Sequence, residues 1–172
     1  MKKQLFICLS LLLLQGSLLH GQTAVPDTCI TVDSLISESM KYLGIPYRWA
    51  GKTPKGFDCA GFTRYIYEKF GVTLAPSAGG QYKMCKKVDD DSLKVGDLVF
   101  YGGRKHTKAV GHVGIITEVN DDGTFRFIHS STQSGICLTY SKEAYYKKRY
   151  IGACRIINCE ATATEETKTE EP

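Results

Sequence analysis

Cys59, His112 and His129 are the residues of this chain whose types and spacing could carry a reaction. Cys59 follows Asp58 and precedes the small residues Ala60 and Gly61 in GFDCAGFTRYIYEKF, residues 56–70. Asp58 is suited to cap a helix. That sets the sulfur in the first turn, where unpaired backbone N–H groups and the helix dipole favour an anion. A thiol placed there gives up its proton more readily and attacks as the thiolate. The Asp58 carboxylate opposes this, and the expectation is that the helix end and a nearby base prevail. Ala60 and Gly61 leave room beside the sulfur for a substrate, and the Cys59 amide is placed to donate to an oxyanion.

A thiolate needs a base. His106 sits in the polar loop GGRKHTK and reads as solvated. His112 and His129 sit in VGHVGIITEV and TFRFIHSS, which flank the turn residues Asn120–Gly123 and read as a hairpin. With that loop His112 faces Ser131 and His129 faces Gly114. The two imidazoles then share a face as diagonal neighbours, roughly 7–8 Å apart between backbones. A loop one residue longer or shorter would put them on opposite faces. Gly111 and Gly114 keep the surface around His112 uncrowded. Either histidine alone reads as an ordinary half-buried strand residue. Together with a cysteine at a helix start they point to Cys–His–His nucleophilic catalysis, with His112 taking the thiol proton and His129 orienting it. Paired ligand spacings such as CxxC or HxxxH are absent, so neither a metal centre nor a cofactor is expected.

The elements that must position these groups read as follows. DSLISESMKYL, residues 33–43, is an expected helix capped by Asp33 and stopped by Gly44 and Pro46. Residues 44–57 are a structured loop rich in glycine, proline and aromatics. A second helix runs from Cys59 to Phe70, with Phe62, Ile66 and Phe70 on one stripe and Gly71 closing it. Residues 72–91 read as irregular, with a short helix around Gln81–Cys85. From Leu93 the pattern changes to strands: LKVGDLVFY, the hairpin, ICLTY and YIGACRII. Helices followed by an antiparallel meander make an α+β fold.

Length and composition set the frame. The 172 residues suit one domain. Lys2 and Lys3 before an apolar run from Leu5 to Leu14 have the layout of a secretory signal over residues 1–21, cleaved after Gly21 or Ala24. Gln15 and Gly16 interrupt the run too early for a membrane span. Cys8 is too near the start to be a lipid-modified first residue. The expectation is a protein exported to the periplasm or outside the cell, soluble rather than a lipoprotein and not held in a membrane. A catalytic domain over residues 30–158 and a disordered acidic tail over 159–172 complete the plan. Without the two leader lysines the net charge falls from +4 to +2, too weak and mixed for a nucleic-acid partner. Six of the seven cysteines lie beyond the leader: Cys29, Cys59, Cys85, Cys137, Cys154 and Cys159. An even count in an exported chain fits three disulfides, which would lock Cys59; if Cys59 is free, the other five cannot all pair. Cys137 and Cys154, on successive expected strands, are a candidate pair.

GIPYRWAGKTPKGFDCAGF, LKVGDLVFY, VGHVGII and FIHSST, in this order and spacing, resemble the NlpC/P60 family of papain-like cysteine peptidases, which hydrolyse bacterial cell-wall peptides. The resemblance runs from about Ser34 to Ile157. The ending, SSTQSGICLTY and AYYKKRY, is most similar to the Spr-type murein endopeptidase branch. By motif, the resemblance implies Cys59 as nucleophile, His112 as base, His129 as third polar residue and Tyr47 as a hydroxyl donor to the oxyanion. It further implies Asp58, Ser77 and Gln81 as substrate contacts. The implied substrate is peptidoglycan or its muropeptides, cut at the γ-D-glutamyl–diaminoacyl bond within a stem. The Spr-like ending favours instead the D-alanyl–diaminoacyl crosslink. A catalytically silent wall-binding module with Cys59 in a disulfide is the reading from another class, and an amidase or acyltransferase is a third. Three departures stand out: Ala60 replaces the usual serine, Trp49-Ala50-Gly51 replaces WGG, and Ala75-Pro76-Ser77 replaces Pro-Arg-Ser.

Overall fold

The computed structural model describes residues 31–104 and 108–156. The expected leader and acidic tail, His106, Cys29 and Cys159 lie outside the described residues. Helix α1 spans Val32–Met40 and is capped by Thr31, whose hydroxyl accepts the Ser34 N–H at 3.2 Å. Asp33, the expected cap, stands in the first turn instead, and the helix stops short of Leu43. Strands β1 (Lys52–Thr53) and β2 (Gly56–Phe57) form a small hairpin within the expected loop. Helix α2 (Cys59–Glu68) follows, then α3 (Ala78–Met84) and a strand the sequence reading missed, β3 (Lys86–Val88). The rest is β4 (Leu98–Gly102), β5 (Val110–Val119), β6 (Phe125–Ser131), β7 (Gly135–Tyr140), the short helix α4 (Ala144–Lys147) and β8 (Tyr150–Arg155).

The main sheet has six strands in the order β3-β8-β4-β5-β6-β7, and every pairing is antiparallel. The expected meander therefore holds only from β4 to β7. At α4 the chain reverses and β8 returns to the far side of β4. This separates β7 from β8 across the sheet, so Cys137 and Cys154 do not meet. Cys154 pairs instead with Cys85 at the end of α3, with Cα atoms 5.7 Å apart. A bridge between residues 69 apart in sequence contributes about 2–4 kcal/mol, chiefly by restricting the unfolded chain.

The sheet is covered on both faces, so β4 is buried at all five positions. Leu98 and Phe100 face α2 and join Phe62, Ile66, Val113, Ile115 and Ile128. Val99 and Tyr101 face the other way, with Ile116, Phe125 and Phe127. The period-2 alternation thus divides two apolar layers between the faces.

The β5–β6 hairpin settles the register of the two histidines. Its turn is one residue longer than expected: Asn120 donates to the Thr124 carbonyl at 2.8 Å and Val119 pairs with Phe125. Between Ile116 and Glu118 the ladder slips, leaving Thr117 as an extra residue in a bulge. Ile115 then pairs with Ile128, as the shorter turn would have required. The ladder stops there, although β5 continues back to Val110 and β6 on to Ser131. His112 and His129 occupy these ends, which no longer pair with each other but keep their other neighbours, Tyr101 of β4 and Cys137 of β7.

Candidate active site

The loop before Cys59 is folded onto the start of α2 by backbone hydrogen bonds. Arg48 N–H donates to the Phe57 carbonyl at 3.0 Å, Phe57 N–H to Pro46 at 3.2 Å, and Asp58 N–H to Gly51 at 3.0 Å. A Cβ at Gly61 would overlap the Gly51 carbonyl oxygen, so glycine is what allows loop and helix to close. The space expected beside Gly61 for a substrate is filled by this loop. Asp58 caps α2 as expected, its Oδ1 accepting the Gly61 N–H at 2.6 Å. Tyr47 bridges to Phe57 and is thereby carried close to Cys59.

On the opposite side, His112 Nε2 lies 2.8 Å from His129 Nδ1. His129 is fully buried, and its Nε2 lies 3.0 Å from Thr139 Oγ1, with Tyr146 OH at 3.4 Å and Cys137 Sγ at 3.6 Å. One proton must lie in the His112–His129 contact. If His112 is to accept a proton at Nδ1, it carries its own on Nε2 and donates to His129 Nδ1. His129 then carries a proton on Nε2 and donates to Thr139. In that tautomer His112 Nδ1 is the basic site. Gly114 makes this packing possible: a Cβ there would stand 2.7 Å from the Phe127 ring and 3.1 Å from the His129 Cβ.

Burial controls the charge states. It pushes the Cys59 thiol up to about 11, with the Asp58 charge adding to the rise, while the backbone N–H groups of Val113, Ala60 and Cys59 act against it. Burial also holds His112 down at about 4 and His129 at about 3, the latter helped by the neighbouring His112. The helix end therefore does not prevail, contrary to the sequence expectation. Burial thus favours the neutral thiol and the neutral imidazole. The Tyr47 hydroxyl is raised by burial and by the nearby Cys59 and Asp58, so it stays protonated as a donor.

Tyr47, Cys59 and His112 line one open cleft of about 1110 Å³, with Trp49 at its rim, 84% exposed. His129 stands behind His112. Among the described residues Cys59 is a free thiol, and so is Cys137. None of the three expected substrate contacts lines this cleft. Asp58 and Ser77 are not in the cleft wall, and Ser77 caps α3 by accepting the Gly80 N–H at 3.2 Å. Gln81 is fully buried: its amide nitrogen donates to the Ala60 and Ala75 carbonyls at 3.0 Å each, and its oxygen accepts from Thr63 at 2.8 Å. Its polar groups are spent fastening α3 to α2. Among the described residues no group of three or more His, Cys, Asp or Glu could hold a metal ion.

The sequence reading missed Thr139, Cys137 and Tyr146 around His129. The first two were accessible, since alternation along ICLTY puts both on one face of β7 and His129 pairs with Cys137. Tyr146 carried no such signal, because its position depends on where α4 folds back.

Residues 44–155 match the model of the NlpC/P60 family. The chain is 36% identical over 125 residues to the bifunctional muramidase/DL-endopeptidase CwlT of Bacillus subtilis (strain 168), covering 72% of this chain and 36% of that protein. It is 35% identical over 125 residues to the murein DD-endopeptidase MepS/murein LD-carboxypeptidase of Escherichia coli (strain K12), covering 72% and 62%. The chain thus spans less than two thirds of the length of these curated relatives. Among solved structures, an NlpC/P60 family protein from Bacillus cereus ATCC 10987 superposes with a TM-score of 0.66 at 33% identity, over 74% of this chain and 40% of that one.

Proposed function

The chain belongs to the NlpC/P60 family, and from that membership we propose that it is an exported cysteine peptidase hydrolysing peptidoglycan stem peptides at the γ-D-glutamyl–diaminoacyl bond. One observation carries the reading. A free Cys59 at the start of α2 shares an open cleft with His112, which is held by a 2.8 Å contact to His129. The relatives named as a DL-endopeptidase and a murein endopeptidase support the choice of substrate.

In this reaction the Cys59 sulfur attacks the amide carbonyl as its proton passes to His112 Nδ1. The new oxyanion takes hydrogen bonds from the Tyr47 hydroxyl and the Cys59 amide. His112 returns the proton to the leaving amine, the C–N bond breaks and a thioester remains. Water, losing a proton to His112, attacks the thioester and releases the acid and the thiol. His129 and Thr139 hold the His112 ring and its tautomer throughout. The buried Cys85–Cys154 disulfide supports an oxidising compartment and hence export. Cys59 forms no disulfide among the described residues, which favours the enzyme over a silent binding module with Cys59 locked.

Digestion of crosslinked dimers and uncrosslinked monomers side by side, with Cys59→Ala as control, tests the proposal by mass spectrometry. Release of diamino-acid peptides from monomers is expected. Conversion of dimers to intact monomers would move the cut to the D-alanyl crosslink. No product from either would overturn the enzyme reading.

A further inference from the structure

The cleft extends beyond the catalytic residues to a wall built from the end of β4 and the turn carrying α4. Gly102 N–H donates to the Arg149 carbonyl at 2.7 Å, which holds these two segments side by side. Arg104, just past Gly102, and Glu143, at the start of α4, both line the cleft. With His112 neutral, they are the two fully charged groups in its wall at neutral pH.

Neither charge is spent within the fold. Among the described residues neither forms an ion pair. Among the described residues the Glu143 carboxylate accepts only a long 3.4 Å contact from the Tyr140 N–H. The Tyr146 ring is near enough to feel the Glu143 charge, whereas the neighbouring Tyr145 ring carries the Arg149 guanidinium 3.8 Å from its centroid. A carboxylate beside an aromatic ring suits an ammonium group. Arg104 presents a planar fork that suits a carboxylate. One free anion and one free cation in an otherwise neutral cleft complement a zwitterionic end group better than a lone ammonium.

We infer that Glu143 and Arg104 form the subsite for the side-chain terminus of the substrate's diamino acid, Glu143 taking its ammonium and Arg104 its carboxylate. The preferred third residue of the stem is then a diaminopimelate with both groups free. Lysine lacks the carboxylate, and a diaminopimelate acylated in a crosslink lacks the ammonium. The identity of the ligand rests on the stem-peptide reading above.

The test uses four tripeptides, L-Ala-γ-D-Glu-X, with X as meso-diaminopimelate, its side-chain carboxamide, L-lysine or Nε-acetyl-L-lysine. Calorimetric binding is measured on Cys59→Ala protein, alone and with Glu143→Gln or Arg104→Gln added. Turnover is measured separately with Cys59 intact. Diaminopimelate is expected to bind roughly tenfold more tightly than its carboxamide, as one charge-assisted pair at a wet site would provide. Arg104→Gln erases that difference. Lysine exceeds acetyl-lysine by a similar factor, and Glu143→Gln erases that one. Equal binding of all four, or discrimination that survives both substitutions, overturns the subsite. The predicted binding pattern without turnover would sink the hydrolase reading and leave the subsite standing. Turnover without discrimination does the reverse, and neither binding nor turnover overturns both.

Discussion

His112 Nε2 lies 2.8 Å from His129 Nδ1, and the contact depends on Thr117, five residues away along β5. Continued without interruption, the pairing set by the Asn120–Thr124 turn would place His129 opposite Ile115, whose side chain faces α2. The bulge at Thr117 restores the register in which both imidazoles share the other face.

Deleting Thr117 should therefore be tolerated. The pairs Ile116–Phe127 and Glu118–Arg126 become consecutive, the ladder regularises, and the histidines keep their relation. Such a variant retains most of its muropeptide hydrolysis. Deleting Gly114, between His112 and the Ile115–Ile128 pair, moves His112 to the other face and abolishes turnover. Equal loss in both variants, with folding checked by circular dichroism, would refute this account of the bulge.

The two histidines also set the pH response. Because His112 is held at about 4, the acid limb of kcat/KM falls near pH 4, well below an ordinary histidine near 6.5. Stability follows the same groups. The folded pKa values, about 4 and about 3, lie below the unfolded value, so the unfolded chain binds more protons between pH 6.5 and 3. Stability is full above pH 6.5 and declines as the pH falls through that window. A denaturant titration at each pH checks this, and His129→Gln should flatten the slope. An unchanged slope would show that other groups govern it.

Gln81 separates a structural role from a substrate contact. Gln81→Leu takes a donor from the buried Ala60 and Ala75 carbonyls, while the Thr63 hydroxyl keeps the Ala60 carbonyl at 3.1 Å, and costs about 1–3 kcal/mol. The expected signature is a lower Tm with KM unchanged. A raised KM at unchanged Tm would return Gln81 to the substrate.

Ala50 adopts φ 55, in the left-handed region where the family pattern carries glycine. Ala50→Gly relieves about 1 kcal/mol of steric strain, partly offset by the extra freedom of glycine in the unfolded chain. A net gain of about 0.5 kcal/mol raises Tm by about 1–2 °C. A lower Tm would mean that the loop carries no such strain.

Local signals made much of the site legible. Asp58 before Cys59 announced a capped helix start, and the hairpin residues placed two histidines on adjacent strands, because caps and turns are short-range features written in neighbouring residues. The register was reached through a turn one residue too short, and the bulge compensated for the difference. Bulges answer to sheet twist and to packing on both faces, which a single strand's pattern does not express. Gln81 looked like a groove residue because its type and spacing are the same whether it faces a cleft or a core.

By itself the sequence determined the main helices and strands in order, the α2 cap, and where the candidate nucleophile and its two candidate histidines lie along the chain. Tertiary structure alone decided that Cys154 pairs with Cys85 and not Cys137, since β8 crosses to the far side of β4. It also decided that the thiol is pushed up rather than down. The helix end acts over one turn of backbone, whereas the desolvation that outweighs it comes from everything packed around the sulfur.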